Sequence, residues 1–519
     1  MKVKNNNLIK ILVAILVLIP FSSCSDWLDI TPSGKVVVTE YWKNESDVEA
    51  MLMTCYRSMV EDDYVKQLIL FGELRSDNLS LRATTDESIL DIYNVNLLPT
   101  NGYSRWDRFY DVINFCNTVL YYAPQVKDAN FSTKKLQAKM AEALTLRALN
   151  YFYLVRVFGE VPYVTDASVS DLQDYEVPKS SENVILDNLE KDLLQAEDWA
   201  LISYGSEVLN KGRVTKNAIR ALLADIYLWR SKYNECITYS DKIINDTDNP
   251  LLLVEPEEQP YRSIFYEKNS SESIFELQFS ASNTTLNKAI SDYYGDGLFP
   301  GIFVAPKYLC EDPNVFTNIP KLTDTRRKDY ITEVKSTDNL YFIKKYVAAS
   351  RMEYTSGTNV VSLYSYRNSS TWPANWIIYR LSDIMLMKAE ALTQKGELSP
   401  ALKIVNTTYM RSNPSLNPTD TLKLTDYSTK KSMEELVLLE RQRELIFEGK
   451  RWFDLMRIAR RDGNTNRLID KVLTKFADGG GEASSKLIDM NGLYFPINKY
   501  ELDANTKLIQ NPFYTSTGK

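Results

Sequence analysis

Two stretches decide how this chain folds: Ala224-Asp225-Ile226-Tyr227-Leu228-Trp229-Arg230-Ser231-Lys232-Tyr233-Asn234-Glu235-Cys236, and Ala389-Glu390-Ala391-Leu392-Thr393-Gln394-Lys395-Gly396-Glu397-Leu398-Ser399-Pro400-Ala401. Each opens on an alanine and has an apolar residue three positions on, a turn residue seven on (Ser231 or Gly396) and a small residue twelve on (Cys236 or Ala401). Small residues on both arms let two helices joined by a tight turn approach closely, which is the spacing of a tetratricopeptide helix pair. Any α-hairpin wants small residues at its crossing, so two degenerate copies also fit an ordinary helical hairpin.

Working outward, helix signals dominate. Asn217 to Ile244 and Ile377 to Met410 contain the two pairs. Lys134 to Phe158 runs without Gly or Pro from the cap candidates Ser132-Thr133 to a stop at Gly159, with Leu144, Ala148, Tyr151 and Val155 as one apolar stripe. Residues 245–376 are instead rich in Asn, Ser, Thr, Asp, Pro and Tyr, with one strand-like piece, Ser273 to Phe279. Long irregular segments inside a compact domain are usually functional. The expected organisation is a leader over 1–23, an N-terminal helical region over 24–244, and a C-terminal region over 245–519. The last divides into a loop-rich insertion (245–376) and a helical scaffold with its tail (377–519), and the whole forms one compact unit. The fold class expected is mostly α, with tetratricopeptide-like hairpins as scaffold and little β structure.

Composition narrows the chemistry. The 519 residues are 44% hydrophobic and 25% charged, a globular balance. Lys and Arg total 61 against 68 Asp and Glu, so no basic footprint marks a nucleic-acid partner. Histidine is absent, which removes imidazole bases, Ser-His-Asp and Cys-His nucleophiles and His-ligated zinc. Carboxylate-pair chemistry remains open. No cofactor is expected: Asp478-Gly479-Gly480-Gly481 lacks the Lys-Ser/Thr of a phosphate loop and reads as a turn.

The N-terminus reads as an address. Lys2, Lys4 and Lys10 precede an apolar run from Ile11 to Ile19, about 13 Å as a helix, too short to span a bilayer. Phe21-Ser22-Ser23-Cys24 follows, small residues ending in the cysteine of a bacterial lipobox, so Cys24 is the expected lipidation site and membrane anchor. Cys55, Cys116, Cys236 and Cys310 have no close spacing and read as small core residues.

The densest ionic stretch is Glu440-Arg441-Gln442-Arg443-Glu444-Leu445-Ile446-Phe447-Glu448-Gly449-Lys450-Arg451-Trp452-Phe453-Asp454-Leu455. On a continuous helix Glu440, Glu444, Glu448 and Arg451 share one face. Glu444 and Glu448 could be read as a glycosidase pair. Side chains on consecutive turns point the same way, however, and interleaved arginines hold both carboxylates ionised, where a general acid needs its pKa raised. The expectation is a partly buried salt-bridge helix joining two layers, and no enzyme.

This stretch resembles the signature of the SusD/RagB family of outer-membrane nutrient-binding lipoproteins of the Bacteroidetes. Leu146-Arg147-Ala148-Leu149-Asn150-Tyr151-Phe152-Tyr153 through Pro162, Gly212-Arg213-Val214-Thr215-Lys216, Arg380 to Ala391, Leu493-Tyr494-Phe495-Pro496-Ile497 and Gln510-Asn511-Pro512-Phe513-Tyr514 are similar to further family blocks, in order. The resemblance implies four tetratricopeptide-like hairpins and a loop-rich ligand part without catalysis. It implies a TonB-dependent SusC-like barrel as partner, capped by the lipoprotein, with an oligosaccharide, or in some members a peptide, as ligand. It also implies a surface-exposed place at the outer membrane, held by the lipid on Cys24.

Sugar rings stack on aromatic faces, and their hydroxyls bond to Asn, Asp and Arg. Loop clusters of that composition nominate Asp77 and Asn78, Tyr103, Tyr293 and Tyr294, and Arg367 and Trp372 as ligand-binding residues. Tyr293, Tyr294 and Trp372 are expected to form an apolar platform.

Overall fold

Ser231 and Gly396 both adopt left-handed backbone, with φ of +57° and +81°. Both turns close with the same hydrogen bond, from Lys232 N–H to the Tyr227 carbonyl (2.8 Å) and from Glu397 N–H to the Leu392 carbonyl (2.9 Å). That six-residue closure satisfies carbonyls the ending helix would leave orphaned. Ala224, Cys236, Ala389 and Ala401, the small residues of both arms, are completely buried.

The computed structural model describes residues 41–519, apart from 83, 170–172, 257–258, 281–284, 296–300, 317–323, 333–339, 357–358, 368–372, 415–416, 418, 477–478 and 517–519. Ten helices carry the scaffold: α1 (Glu45–Ser58), α2 (Asp107–Tyr122), α3 (Thr133–Phe158), α4 (Glu182–Trp199), α5 (Lys216–Trp229), α6 (Tyr233–Ile244), α7 (Leu381–Gln394), α8 (Leu398–Arg411), α9 (Lys430–Leu445) and α10 (Arg451–Asp462). They pair as α1/α2, α3/α4, α5/α6 and α7/α8. Each pair packs on the next through α2 on α3, α4 on α5 and α6 on α7, and α9 lies across α7 and α8. Successive pairs stacked on their neighbours bury a continuous core that no single pair could. Residues 44–519 form one compact body.

Helix α3 is capped by the Ser132 hydroxyl and ends at Gly159, φ +75°. Its burial differs from the expected stripe: every residue from Ala141 to Phe158 is buried. The helix is enclosed on all sides, and its polar residues are paired internally. Arg147 bonds Asn117 (2.9 Å) and Asp192 (2.6 Å), and Arg156 reaches Asp225 (3.3 Å).

Among the described residues β structure amounts to four two-stranded sheets and three isolated bridges. The expected strand appears as Ser273–Leu277, antiparallel to Trp376–Arg380 and buried throughout. A second hairpin, Ala348–Ser356 with Asn359–Tyr366, lies in the segment read as irregular. Cys55, Cys116 and Cys236 are core residues as expected, whereas Cys310 is only half-buried. Among the described residues no helix is long and apolar enough to cross a membrane, and no His, Cys, Asp or Glu group could hold a metal.

Candidate functional site

The ionic stretch is not one helix. Helix α9 ends at Leu445, Ile446 is extended, and Phe447 and Gly449 take φ of +68° and +71° before α10 begins at Arg451. Close backbone contact dictates the break: a Cβ on Gly72 would lie 1.9 Å from the Gly449 carbonyl oxygen. Glu448 therefore leaves the predicted helical face. It nevertheless rejoins Glu444 through Arg380, whose Nη1 bonds Glu444 (2.6 Å) and whose Nε and Nη2 bond Glu448 (2.9 and 2.7 Å). Glu272, Arg326, Arg411, Lys345 and Glu440 complete the cluster, all buried. Burial by itself would raise the Glu444 carboxyl, but Arg411, Arg380 and Arg326 overcome it and hold it well below the usual range. For Glu448, Arg380 and Lys345 do the same. Neither group can hold a proton as a general acid, and both are sealed from substrate.

Four nominated ligand residues lie inside this framework, which is a correction to their expected place on loop surfaces. The Asp77 carboxylate is clamped by Arg451 Nε (2.7 Å) and Nη2 (2.8 Å). Asn78 donates to Glu73 (2.7 Å) and accepts from Gln442 (2.8 Å). Tyr294 is a core ring, stacked near Tyr346 and donating to the Phe447 carbonyl (3.0 Å). Arg367 donates to the carbonyls of Tyr346 (3.1 Å) and Phe265 (2.7 Å) and lies over the Tyr266 ring, tying the long hairpin down. These side chains direct their hydrogen bonds to protein groups, since burying a polar group without partners costs a few kcal/mol.

Tyr293 is buried too, its ring against Phe303 with centroids 4.6 Å apart, so the Tyr293-Tyr294 pair presents no platform. The reason is local: Lys288–Tyr294 is a helix packed on the Asp62–Ile69 helix, not the irregular loop its composition suggested. Trp372 and Cys24 lie outside the described residues.

Tyr103 alone among the described nominees lines an open pocket. Asp63, Gln67, Gly102, Tyr103, Arg105, Asp107 and Arg108 surround about 150 Å³. Tyr103 donates to Asp86 (2.8 Å), and burial together with that bond pushes its hydroxyl up to about 12. Asp86 also caps the Glu87–Tyr93 helix at Ile89 (3.1 Å), so one carboxylate fixes both the helix and the ring. The Tyr293 hydroxyl lies beside that of Tyr103 but outside hydrogen-bond geometry. At the rim Arg105 pairs with Asp107 (2.9 Å), Arg108 with Asp63 (3.5 Å) and Lys66 with Asp292 (2.7 Å), all except Lys66 substantially exposed. The mixture of one phenol ring, exposed carboxylates and guanidinia suits a neutral, hydroxyl-rich ligand. Sequence reading missed Asp63 and Asp86, which lie far from Tyr103 in the chain and carry no spacing signal.

Stacked helix pairs around a sealed ionic core form the scaffold, and a small polar pocket lies where the loop carrying Gly102, Tyr103 and Arg105 meets the Asp62–Ile69 helix and α2. A model of the SusD family matches residues 314–514, and a second, described as starch-binding and associating with the outer membrane, matches residues 26–228. The chain belongs to the SusD/RagB family. It is 26% identical over 466 residues to a SusD-like protein of Formosa agariphila, covering 84% of this chain and 88% of that one. A SusD-like protein of Bacteroides ovatus is 24% identical over 537 residues, covering 98% and 92%. In fold it is similar to a SusD superfamily protein of Bacteroides vulgatus, with a TM-score of 0.74 at 21% identity over 91% of this chain and 100% of that one.

Proposed function

We propose that this protein is a lipid-anchored, surface-exposed component of the outer membrane that binds oligosaccharide and caps a SusC-like TonB-dependent barrel, delivering glycan for import. The observation that carries the ligand class is the Tyr103 pocket, whose open polar rim and single ring offer what a sugar's hydroxyls and C–H face require. Description of the N-terminal family model as starch-binding and outer-membrane-associated supports the same reading. The lipobox ending at Cys24 supports the anchor.

The test is a combined glycan and peptide array probed with the chain from Ser25 onward, followed by an assay for new reducing ends on any bound glycan. Saturable binding to one glycan class without hydrolysis is the expected result. Binding to peptides only, or release of reducing ends, would overturn it.

A further inference from the structure

Arg75 is completely buried, and among the described residues no carboxylate pairs with it. Its guanidinium carbon lies over the Trp452 ring (4.1 Å to the centroid) and over the Phe495 ring (4.5 Å). Nε and Nη1 have no hydrogen-bond partner among the described residues. The indole Nε1 of Trp452 is likewise buried and without an acceptor. The second cation here is Lys475, buried as well, which donates to the carbonyl of Leu74 (2.9 Å), the residue before Arg75. Its ammonium lies 4.3 Å from the Tyr93 ring centroid.

The charged and titratable groups facing this pair are already committed. Asp77 is taken by Arg451 and by Gln442 Nε2 (3.1 Å). The Tyr514 hydroxyl donates to the Tyr494 carbonyl (2.7 Å). Arg75 Nε and Nη1 and the Trp452 indole N–H thus stand without an acceptor among the described residues, beside a second cation whose opposing carboxylate, Asp77, is already bound to Arg451. Buried charges in proteins are paired or neutralised, and aromatic faces offset only part of the desolvation of a guanidinium. A neutral water would satisfy a donor but leave two like charges together.

We propose that the in-plane edge of Arg75, with Lys475 as the second cation, binds a small monovalent anion of the halide class. The anion would fasten the segment after the Asp62–Ile69 helix, which carries Arg75, against α10, which carries Trp452. Burial pushes Arg75 down to about 9, and it pushes Lys475 down to about 7 against the pull of the Asp77 carboxylate.

The experiment uses the chain from Ser25 crystallised in sodium bromide, with anomalous data collected at the bromine edge. An anomalous peak at hydrogen-bond distance from the Arg75 guanidinium is the expected result. In solution the melting temperature should rise with chloride, at ionic strength held constant with gluconate, by about 1 °C per tenfold increase. In Arg75→Met that dependence should vanish. Should the variant not fold, the bromide crystal of the unaltered chain still decides. A water at that edge without anomalous signal, or equal melting in both salts, would overturn the proposal.

Discussion

Arg380 and Glu448 meet through two parallel hydrogen bonds, Nε to Oε2 at 2.9 Å and Nη2 to Oε1 at 2.7 Å, with both side chains 1% exposed. One arginine, placed where the Trp376–Arg380 strand enters α7, thereby joins the strand, the end of α9 and the turn into α10. Replacing it should be severe. Arg380→Met leaves Glu444, Glu448 and Glu272 short of charge in a dry interior, a loss of about 3–5 kcal/mol. Denaturant unfolding measures it, and adding Glu448→Gln should recover part of the loss, because the second change removes one of the stranded charges.

Glu73 behaves oppositely to those carboxylates. It is fully buried and accepts from Asn78 (2.7 Å) and from Phe447 N–H (2.8 Å), with no cation bonded to it. Burial outweighs these donors and raises its carboxyl from 4.5 to about 7. A raised acid contributes its stability below the unfolded value of 4.5 and loses it as pH climbs through about 7. Relative to Glu73→Gln, the unaltered protein should therefore lose about 3 kcal/mol across that window. Melting curves of both proteins at several pH values test the sign. A gap that stays constant with pH would show that the carboxyl keeps its ordinary affinity for protons.

The paired turns allow a cleaner comparison. Ser231 holds a left-handed conformation that glycine adopts at no steric cost, and Gly396 already uses it at the equivalent turn. Ser231→Gly should raise stability by up to about 1 kcal/mol, and Gly396→Ala should lower it by about 1 kcal/mol. Nothing lies within 4 Å of a Cβ built at Gly396, so the loss would report backbone strain and not a clash. Calorimetric melting of the two variants gives both signs.

Among the described residues, Tyr103 is the one nominated aromatic that lines an open pocket. Tyr103→Ala should weaken glycan binding by about thirtyfold, near 2 kcal/mol, as expected for a ring that anchors a site. Melting temperature should change little, since the ring is only half-buried. Titration calorimetry with the glycan found on the array measures the affinity. Unchanged affinity with a lowered melting temperature would make Tyr103 a packing residue.

Local regularities survived folding intact. The twelve-residue spacing of small residues, the turn residues Ser231 and Gly396, and the cap and stop of α3 at Ser132 and Gly159 all depend on neighbours within one or two helical turns. Interactions of that range are written in consecutive residues, which is why they could be read there. The hairpin ending at Tyr366 carried a weaker local signal, the β-branched and aromatic residues of Val360-Val361-Ser362-Leu363-Tyr364-Ser365-Tyr366, and was obscured by the polar composition around it.

The sequence by itself determined the two helix pairs that share the twelve-residue spacing, the exclusion of imidazole chemistry, and the ionic character of the segment from Glu440 to Asp454. Tertiary structure decided which polar groups face solvent. Asp77, Asn78 and Arg367 look like ligand residues in a list of letters, yet partners as remote as Arg451, Gln442 and Phe265 claim them. Contact between Gly72 and Gly449 likewise broke a helix that its own sequence would have continued. Burial of a polar side chain depends on whether a complementary group arrives from elsewhere in the chain. That arrival is set by the packing of whole helices, and no local spacing records it.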